Sequence, residues 1–170
     1  EAWAVWHQNL SVTNGKFLYL DTTESERSNS SVYSSAPTST IITGGAQSLV
    51  GNVATTYICY AWKAVAGVSA FGSYTGSSGA QTITYTGSNS FTAKFIMVKK
   101  SSASGSWMMF DSFREGTGLL TSRLKANGTD VEYSATVQGL TPTSTGFSFA
   151  SAATDSDVNT SGTYIYAAFA

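Results

Sequence analysis

Thr56-Tyr57-Ile58, running on to Ala61-Trp62, returns near the end of the chain as Thr163-Tyr164-Ile165, running on to Ala168-Phe169. The correspondence extends backwards in the same order. Asn52 answers Asn159, and Pro37-Thr38-Ser39-Thr40 answers Pro142-Thr143-Ser144-Thr145. Leu18, Asp21, Thr23 and Glu24 answer Leu124, Asn127, Thr129 and Asp130, while Trp3, Val5 and Trp6 answer Trp107, Met109 and Phe110. Two apolar strands can look alike by chance; an ordered series of unlike segments does not. The spacing is about 105 residues, the size of a small domain rather than of a solenoid repeat. The chain reads as a tandem duplication.

The two copies are unequal. Trp107 is preceded by the apolar run 91–100, and before that by Tyr74-Thr75-Gly76 and Tyr85-Thr86-Gly87; almost nothing precedes Trp3. Residues 1–64 therefore read as the closing part of a first unit and 65–170 as a complete second one. The chain opens at Glu1 without Met, so the expectation is a piece of a longer polypeptide. A first unit lacking its equivalent of 91–100 leaves a sheet edge open beside Trp3 and Trp6, and open edges invite another strand. A neighbouring subunit could lend it, making a strand-exchanging filament, or an upstream domain could supply it.

About fifty residues are Ser or Thr, only 11% are charged and 42% are apolar, which is enough to build a core and too little charge for disorder. A formal net charge of −1 removes the basic footprint that nucleic acid or an anionic membrane would need, so neither is expected as a partner. No apolar run approaches the roughly 20 residues of a membrane span.

Phe17-Leu18-Tyr19-Leu20, Thr82-Ile83-Thr84-Tyr85, Phe95-Ile96-Met97-Val98, Trp107-Met108-Met109-Phe110 and Thr163-Tyr164-Ile165-Tyr166 are short and rich in β-branched and aromatic residues. Asn14-Gly15, Asn127-Gly128 and Ser161-Gly162 signal tight turns. The predicted fold is all-β, a β-sandwich or jelly-roll-like architecture built from the duplication. A helical turn is expected at 24–30, capped by Thr22 or Thr23, with a fainter echo at 129–134. Trp3, Trp6, Trp62 and Trp107 are expected in the core, as is Cys59 within the strand-like run 57–62.

His7 is the single histidine, and Asp111 answers it, so neither a Ser/His/Asp machine nor a His-rich metal centre has its parts. Paired carboxylates for glycan hydrolysis could come from Asp21 with Glu24 or Glu26, or from Asp111 with Glu115, Asp130 or Glu132, but these acids stand in turn-like contexts that suit capping. The expectation is a protein that is not an enzyme and needs no cofactor. Asp155, Asp157 and Asn159 alternate oxygen ligands as calcium loops do, yet the loop lacks the Gly and distal Glu of an EF-hand, and only the Asn has a counterpart in the first copy. An Asx-type turn starting the last strand is the plainer reading, and no metal is expected. Tyr33, Tyr74, Tyr85 and Tyr133 stand among Ser, Thr, Gly and Asn, a mixture suited to contacts with sugars or proteins, and are the candidate binding residues.

The unit from Phe71-Gly72-Ser73-Tyr74-Thr75-Gly76, through 91–100 and Ser106-Trp107-Met108-Met109-Phe110-Asp111, past Pro142-Thr143-Ser144-Thr145, to Thr163-Tyr164-Ile165-Tyr166-Ala167-Ala168-Phe169-Ala170 resembles a β-rich domain of tailed-bacteriophage virion proteins, common in marine and cyanobacterial phages. Residues 1–64 resemble the end of a preceding unit. The resemblance implies tandem units in tail fibres and other appendage proteins, and hands over no catalytic residues. It implies a structural component of the virion surface, a tail fibre or a capsid-decorating protein, contributing to host attachment. The partners it implies are other virion proteins and copies of the same chain, a trimer being the usual fibre state. A lectin-like module recognising host-surface glycan is the alternative.

Overall fold

A computed structural model describes residues 2–11, 15–87, 89–134, 139–150 and 156–170. Asn14 and Asp155 lie outside the described residues.

The element that organises the rest is the last strand. β12 (Gly162–Phe169) pairs antiparallel along its whole length with β4 (Ser69–Gly76), and along its other edge with β6 (Phe95–Lys100). The ladder continues from β6 to β7 (Trp107–Asp111), β8 (Ser122–Lys125) and β9 (Tyr133–Ser134), giving a six-stranded sheet in the order β4-β12-β6-β7-β8-β9. Alternation along β12 sends Tyr164, Tyr166 and Ala168 to one face and Ile165 to the other, and all four are buried.

The first of these faces is covered by a three-stranded sheet, β10-β11-β5, made from β10 (Leu140–Thr143), β11 (Gly146–Phe149) and β5 (Gln81–Thr84). The core between them is largely aromatic. Tyr74 stacks on Tyr164 at 5.1 Å, and Phe147 stands edge-on to Tyr166 at 5.3 Å. Gly72 lies opposite Tyr166 in the ladder, and a Cβ there would come within 2.4 Å of the Tyr166 hydroxyl. Glycine at 72 therefore makes room for the ring.

The second face carries Trp107, Ile165 and Met97 and meets the first copy. There β1 (Ala4–Val5), β2 (Lys16–Tyr19) and β3 (Arg27–Ser28) form the order β1-β2-β3, and Val5, Leu10, Leu18 and Leu20 close the cluster. Beyond it Phe17, Val32 and Tyr33 form a small third core with Ala4, Trp6 and Leu49. The molecule is an all-β sandwich with antiparallel sheets.

The duplication is written in the registers. Ala4↔Tyr19 and Val5↔Leu18 in the first copy reappear as Met108↔Lys125 and Met109↔Leu124 in the second. Lys16↔Ser28 and Phe17↔Arg27 reappear as Ser122↔Ser134 and Arg123↔Tyr133, so an aromatic faces an arginine across the ladder in both. Single hydrogen bonds repeat as well. Asp21 Oδ1 accepts the Trp3 amide as Asn127 Oδ1 accepts that of Trp107, and Leu20 N–H donates to Trp3 O as Ala126 N–H does to Trp107 O.

Several expectations need correction. Residues 24–30 and 129–134 are not helical: the Thr22 hydroxyl accepts the Glu24 amide in a local turn, and each stretch feeds a short strand instead. The one described helix, α1 (Ser112–Glu115), starts where the Asp111 carboxylate accepts the Arg114 amide. Segment 56–62 belongs to no strand, and Cys59 is exposed instead of buried. Trp107 is buried as expected, while Trp3 and Trp62 are 48% and 66% exposed. The surroundings of 56–62 and of β12 thus differ: β12 has a strand on each edge, and among the described residues its counterpart pairs with no strand.

Gly72→Ala is expected to destabilise the protein by about 1–3 kcal/mol through overpacking against Tyr166. Thermal unfolding followed by circular dichroism should show a fall of several degrees in Tm, and an unchanged Tm would show that Tyr166 moves aside freely.

Candidate assembly surface

The four candidate tyrosines separate in the structure. Tyr74 and Tyr85 are interior: the Tyr74 hydroxyl donates to Val158 O, and Tyr85 stacks on Phe91 at 4.7 Å. A direct binding role at these two is corrected by their burial, which also raises the Tyr85 hydroxyl's pKa. Tyr33 is buried against Phe17 and Val32, its hydroxyl pushed up to about 12 mainly by desolvation. Tyr133 alone is open, 54% exposed, with the Arg123 guanidinium 4.9 Å from its ring centre.

The oxygen loop at the end of the second copy is directed at backbone. Asp157 Oδ1 accepts the Ser106 amide at 2.9 Å. Asn159 is fully buried, its Oδ1 accepting the Ser77 amide and its Nδ2 donating to Gly79 O at 2.7 Å, so it ties down the turn between β4 and β5. The acids are likewise engaged. Glu24 pairs with Arg27, and Glu26 accepts from Ser11 and lies 3.4 Å from Lys16. Arg114 bridges Asp111 and Glu132, while Glu115 accepts from Thr121 and Ser122. Burial opposes the charge on Asp111 and Glu115, but the hydrogen bonds from Arg114, and from Thr121 and Ser122, hold both carboxyls below their ordinary values. A glycosidase general acid needs the opposite shift.

What the sequence did not single out is the junction between the copies. Trp107 Nε1 crosses to donate to Tyr19 O at 2.8 Å. Lys99 is fully buried; its ammonium donates to Thr23 O at 3.2 Å and to Gly105 O at 2.7 Å, and desolvation lowers its pKa to about 8 against the pull of Asp157 and Glu24. Glu26 N–H donates to Ser101 O, and Gly105 N–H to Thr23 O, each at 2.8 Å. His7 sits at the other end of this contact. Its Nε2 lies 3.1 Å from Tyr166 O, and its Nδ1 accepts the Asn9 amide at 3.1 Å, an arrangement that requires the neutral Nε2–H tautomer. Gln8 Nε2 donates to Phe71 O beside it.

Counterparts meet across this junction. Leu20 and Ala126 occupy equivalent positions in the two copies and pack in the same cluster.

From the junction an aromatic series runs out over the surface. Trp3 stacks on Tyr60 at 6.2 Å, Tyr60 stacks on Trp62 at 6.1 Å, and Trp62 stands edge-on to Phe169 at 6.5 Å. Tyr60 and Ile58 are 63% and 70% exposed, an unusual density of solvated apolar surface for one segment. A separate open groove of ≈ 390 Å³ lies beneath the first copy, lined by Phe17, Tyr19, Arg27 and Gln47; Arg27 is already paired with Glu24 at its rim.

The model of one family, a domain of unknown function (DUF7483), matches residues 1–170, and the chain belongs to that family. No curated protein and no solved structure matches it.

The His7 geometry carries a pH dependence. Desolvation lowers its pKa from 6.5 to about 4, with the Tyr166 carbonyl opposing, so between these values the unfolded chain binds a proton that the folded chain refuses. Stability should therefore be full above pH 6.5, decline as pH falls towards 4, and level off below for this group. His7→Gln should flatten that window in denaturant titrations, and an unchanged slope would show that His7 is not its source.

Proposed function

We propose that this member of the DUF7483 family is a structural building block of a bacteriophage virion, a tail-fibre or capsid-decorating appendage protein displayed on the particle surface. One observation carries the reading. The two copies are locked face to face by a shared apolar cluster, a buried lysine and a crossing indole, a junction whose parts serve packing. Tandem units joined in this way make a stiff element, which suits an appendage exposed outside a cell. The phage assignment itself comes from the sequence resemblance. Homo-oligomers, with a trimer as the fibre-like state, and other virion proteins are the partners proposed, with the exposed aromatic series as contact surface.

A second reading has its own observation. Trp3, Tyr60 and Trp62 form a stacked, exposed row of rings, the kind of platform on which a host-surface glycan could lie.

Light scattering after gel filtration is expected to give a multiple of the 17.8 kDa chain mass, and a monomer at every concentration would overturn self-assembly. A glycan array probed with the chain and with Trp62→Ala separates the readings: no sugar retained supports the structural role, and binding abolished by Trp62→Ala supports the lectin-like one.

A further inference from the structure

We infer that Asn127–Gly128, in the turn after β8, is a self-modifying site: with no enzyme, Asn127 deamidates through a succinimide to aspartyl and isoaspartyl forms, of which the aspartyl form keeps the fold. The chemistry is independent of what the protein binds or assembles into.

The nucleophile is the backbone nitrogen of Gly128. Asparagine is a thermolabile residue, and a following glycine lets the main chain close on the side chain because no Cβ stands in the way. Asn127 and Gly128 come after Lys125, the last residue of β8, and belong to no strand. Gly128 is exposed, and its N–H reaches Lys125 O only at 3.4 Å, beyond the ordinary hydrogen-bond range. Hydroxide from solvent can therefore take that proton without first opening a ladder.

The electrophile is Cγ of Asn127. Its Oδ1 accepts the amide of buried Trp107 at 2.7 Å. A fixed backbone N–H on a carbonyl oxygen polarises the carbon and stabilises negative charge developing on the oxygen, the service an oxyanion hole performs. Hydroxide removes the Gly128 amide proton, the nitrogen bonds to Cγ, and the carbonyl electron pair moves onto Oδ1 against the Trp107 N–H. Its return breaks the Cγ–Nδ2 bond, and Nδ2 takes a proton from water and leaves as ammonia. Water then opens the cyclic imide. Cleavage of the bond from Cγ to nitrogen gives the aspartyl form; cleavage at the backbone carbonyl gives the isoaspartyl form, whose main chain runs through the former side chain. On balance one water enters, one ammonia leaves and nothing is oxidised.

The first copy already holds the product. Asp21 stands where Asn127 does, and its Oδ1 accepts the Trp3 amide at 3.2 Å, so a carboxylate serves this turn. Thr22 follows it where the second copy has Gly128. The backbone at 128 does not demand glycine: it lies outside the left-handed region, and a Cβ there would come no closer than 3.4 Å, to Asp130 Oδ2. Gly15, in the other Asn–Gly pair of the sequence, differs, since its φ is +84° and a Cβ would fall 2.6 Å from Ser30 N. The isoaspartyl form has no such precedent. Its carboxylate is displaced from the Trp107 amide, beside the indole that crosses to Tyr19 O and next to Ala126 of the junction cluster. That product loosens the contact between the copies as the protein ages.

The test incubates the intact 170-residue chain at neutral pH and one unit higher, then digests it and weighs the peptides. A gain of about 1 Da is expected in the peptide holding Asn127, with ammonia released in equal amount. Methyl transfer from S-adenosylmethionine by an isoaspartyl methyltransferase counts the isoaspartyl share. The rate should rise about tenfold over the unit of pH, following the hydroxide that removes the amide proton. Gly128→Thr, the residue of the first copy, should slow conversion by at least about tenfold, and Gly128→Ala is the milder block should the threonine variant not fold. Asn127→Asp should keep the parent's Tm and the protection of the Trp107 amide from hydrogen exchange. Asn127 left unmodified in a sample whose Asn14–Gly15 pair has converted overturns the inference. So does a rate untouched by either Gly128 variant, or an Asn127→Asp chain whose Trp107 amide loses protection. Conversion about tenfold or more faster in the urea-unfolded chain also overturns it, because the folded turn would then shield the site.

Discussion

Everything in the second copy depends on β12 being held on both edges and both faces. Its backbone is satisfied by β4 and β6, so Tyr164, Ile165, Tyr166 and Ala168 can all be buried without leaving main-chain polar groups unpaired in a dry interior. Segment 56–62 shows the same sequence pattern where the described residues supply no such neighbours. Segment 56–62 keeps its anchoring tyrosine, yet Ile58, Tyr60 and Trp62 stay in solvent. A strand is a relation between segments, and side-chain character alone does not create one.

That relation explains which parts of the fold were legible. The strands at 95–100, 107–111 and 162–169 announce themselves by β-branched and aromatic residues, and the order of matched positions between copies became matched ladder registers. Pairing across the sheet is non-local, so nothing inside 56–62 reports that it lacks partners, and Cys59, Trp3 and Trp62 were misplaced with it. Tyr74 misled for a different reason. In β4 the polar residues Ser73 and Thr75 face outward and Tyr74 inward, so a period-two alternation looked like a polar loop. The Thr22 signal was real as a turn, but a hydroxyl accepting an amide two residues on serves a loop as readily as a helix.

The junction was the least legible part, because its groups are backbone carbonyls that any sequence carries. Lys99 is placed by the carbonyls of Thr23 and Gly105, and Trp107 by that of Tyr19. Burying an ammonium costs more than its two acceptors return unless further opposite charge is near, which Asp157 and Glu24 supply at a distance. The arrangement favours one relative placement of the copies over others of similar apolar area, since sliding either sheet would take the Thr23 carbonyl from that cation.

The arginine–aromatic pair across the second and third strands of each copy carries a consequence for how such units diverge. Phe17 faces Arg27 in one, and Arg123 faces Tyr133 in the other: the two chemical types have traded strands while the cross-ladder partnership has stayed. What was inherited at this place is a complementarity and not a residue. Exchange of its members requires coordinated change at two sites ten positions apart, so the hairpin drifts as a coupled unit, and alignments that score each site independently will understate the kinship of its members.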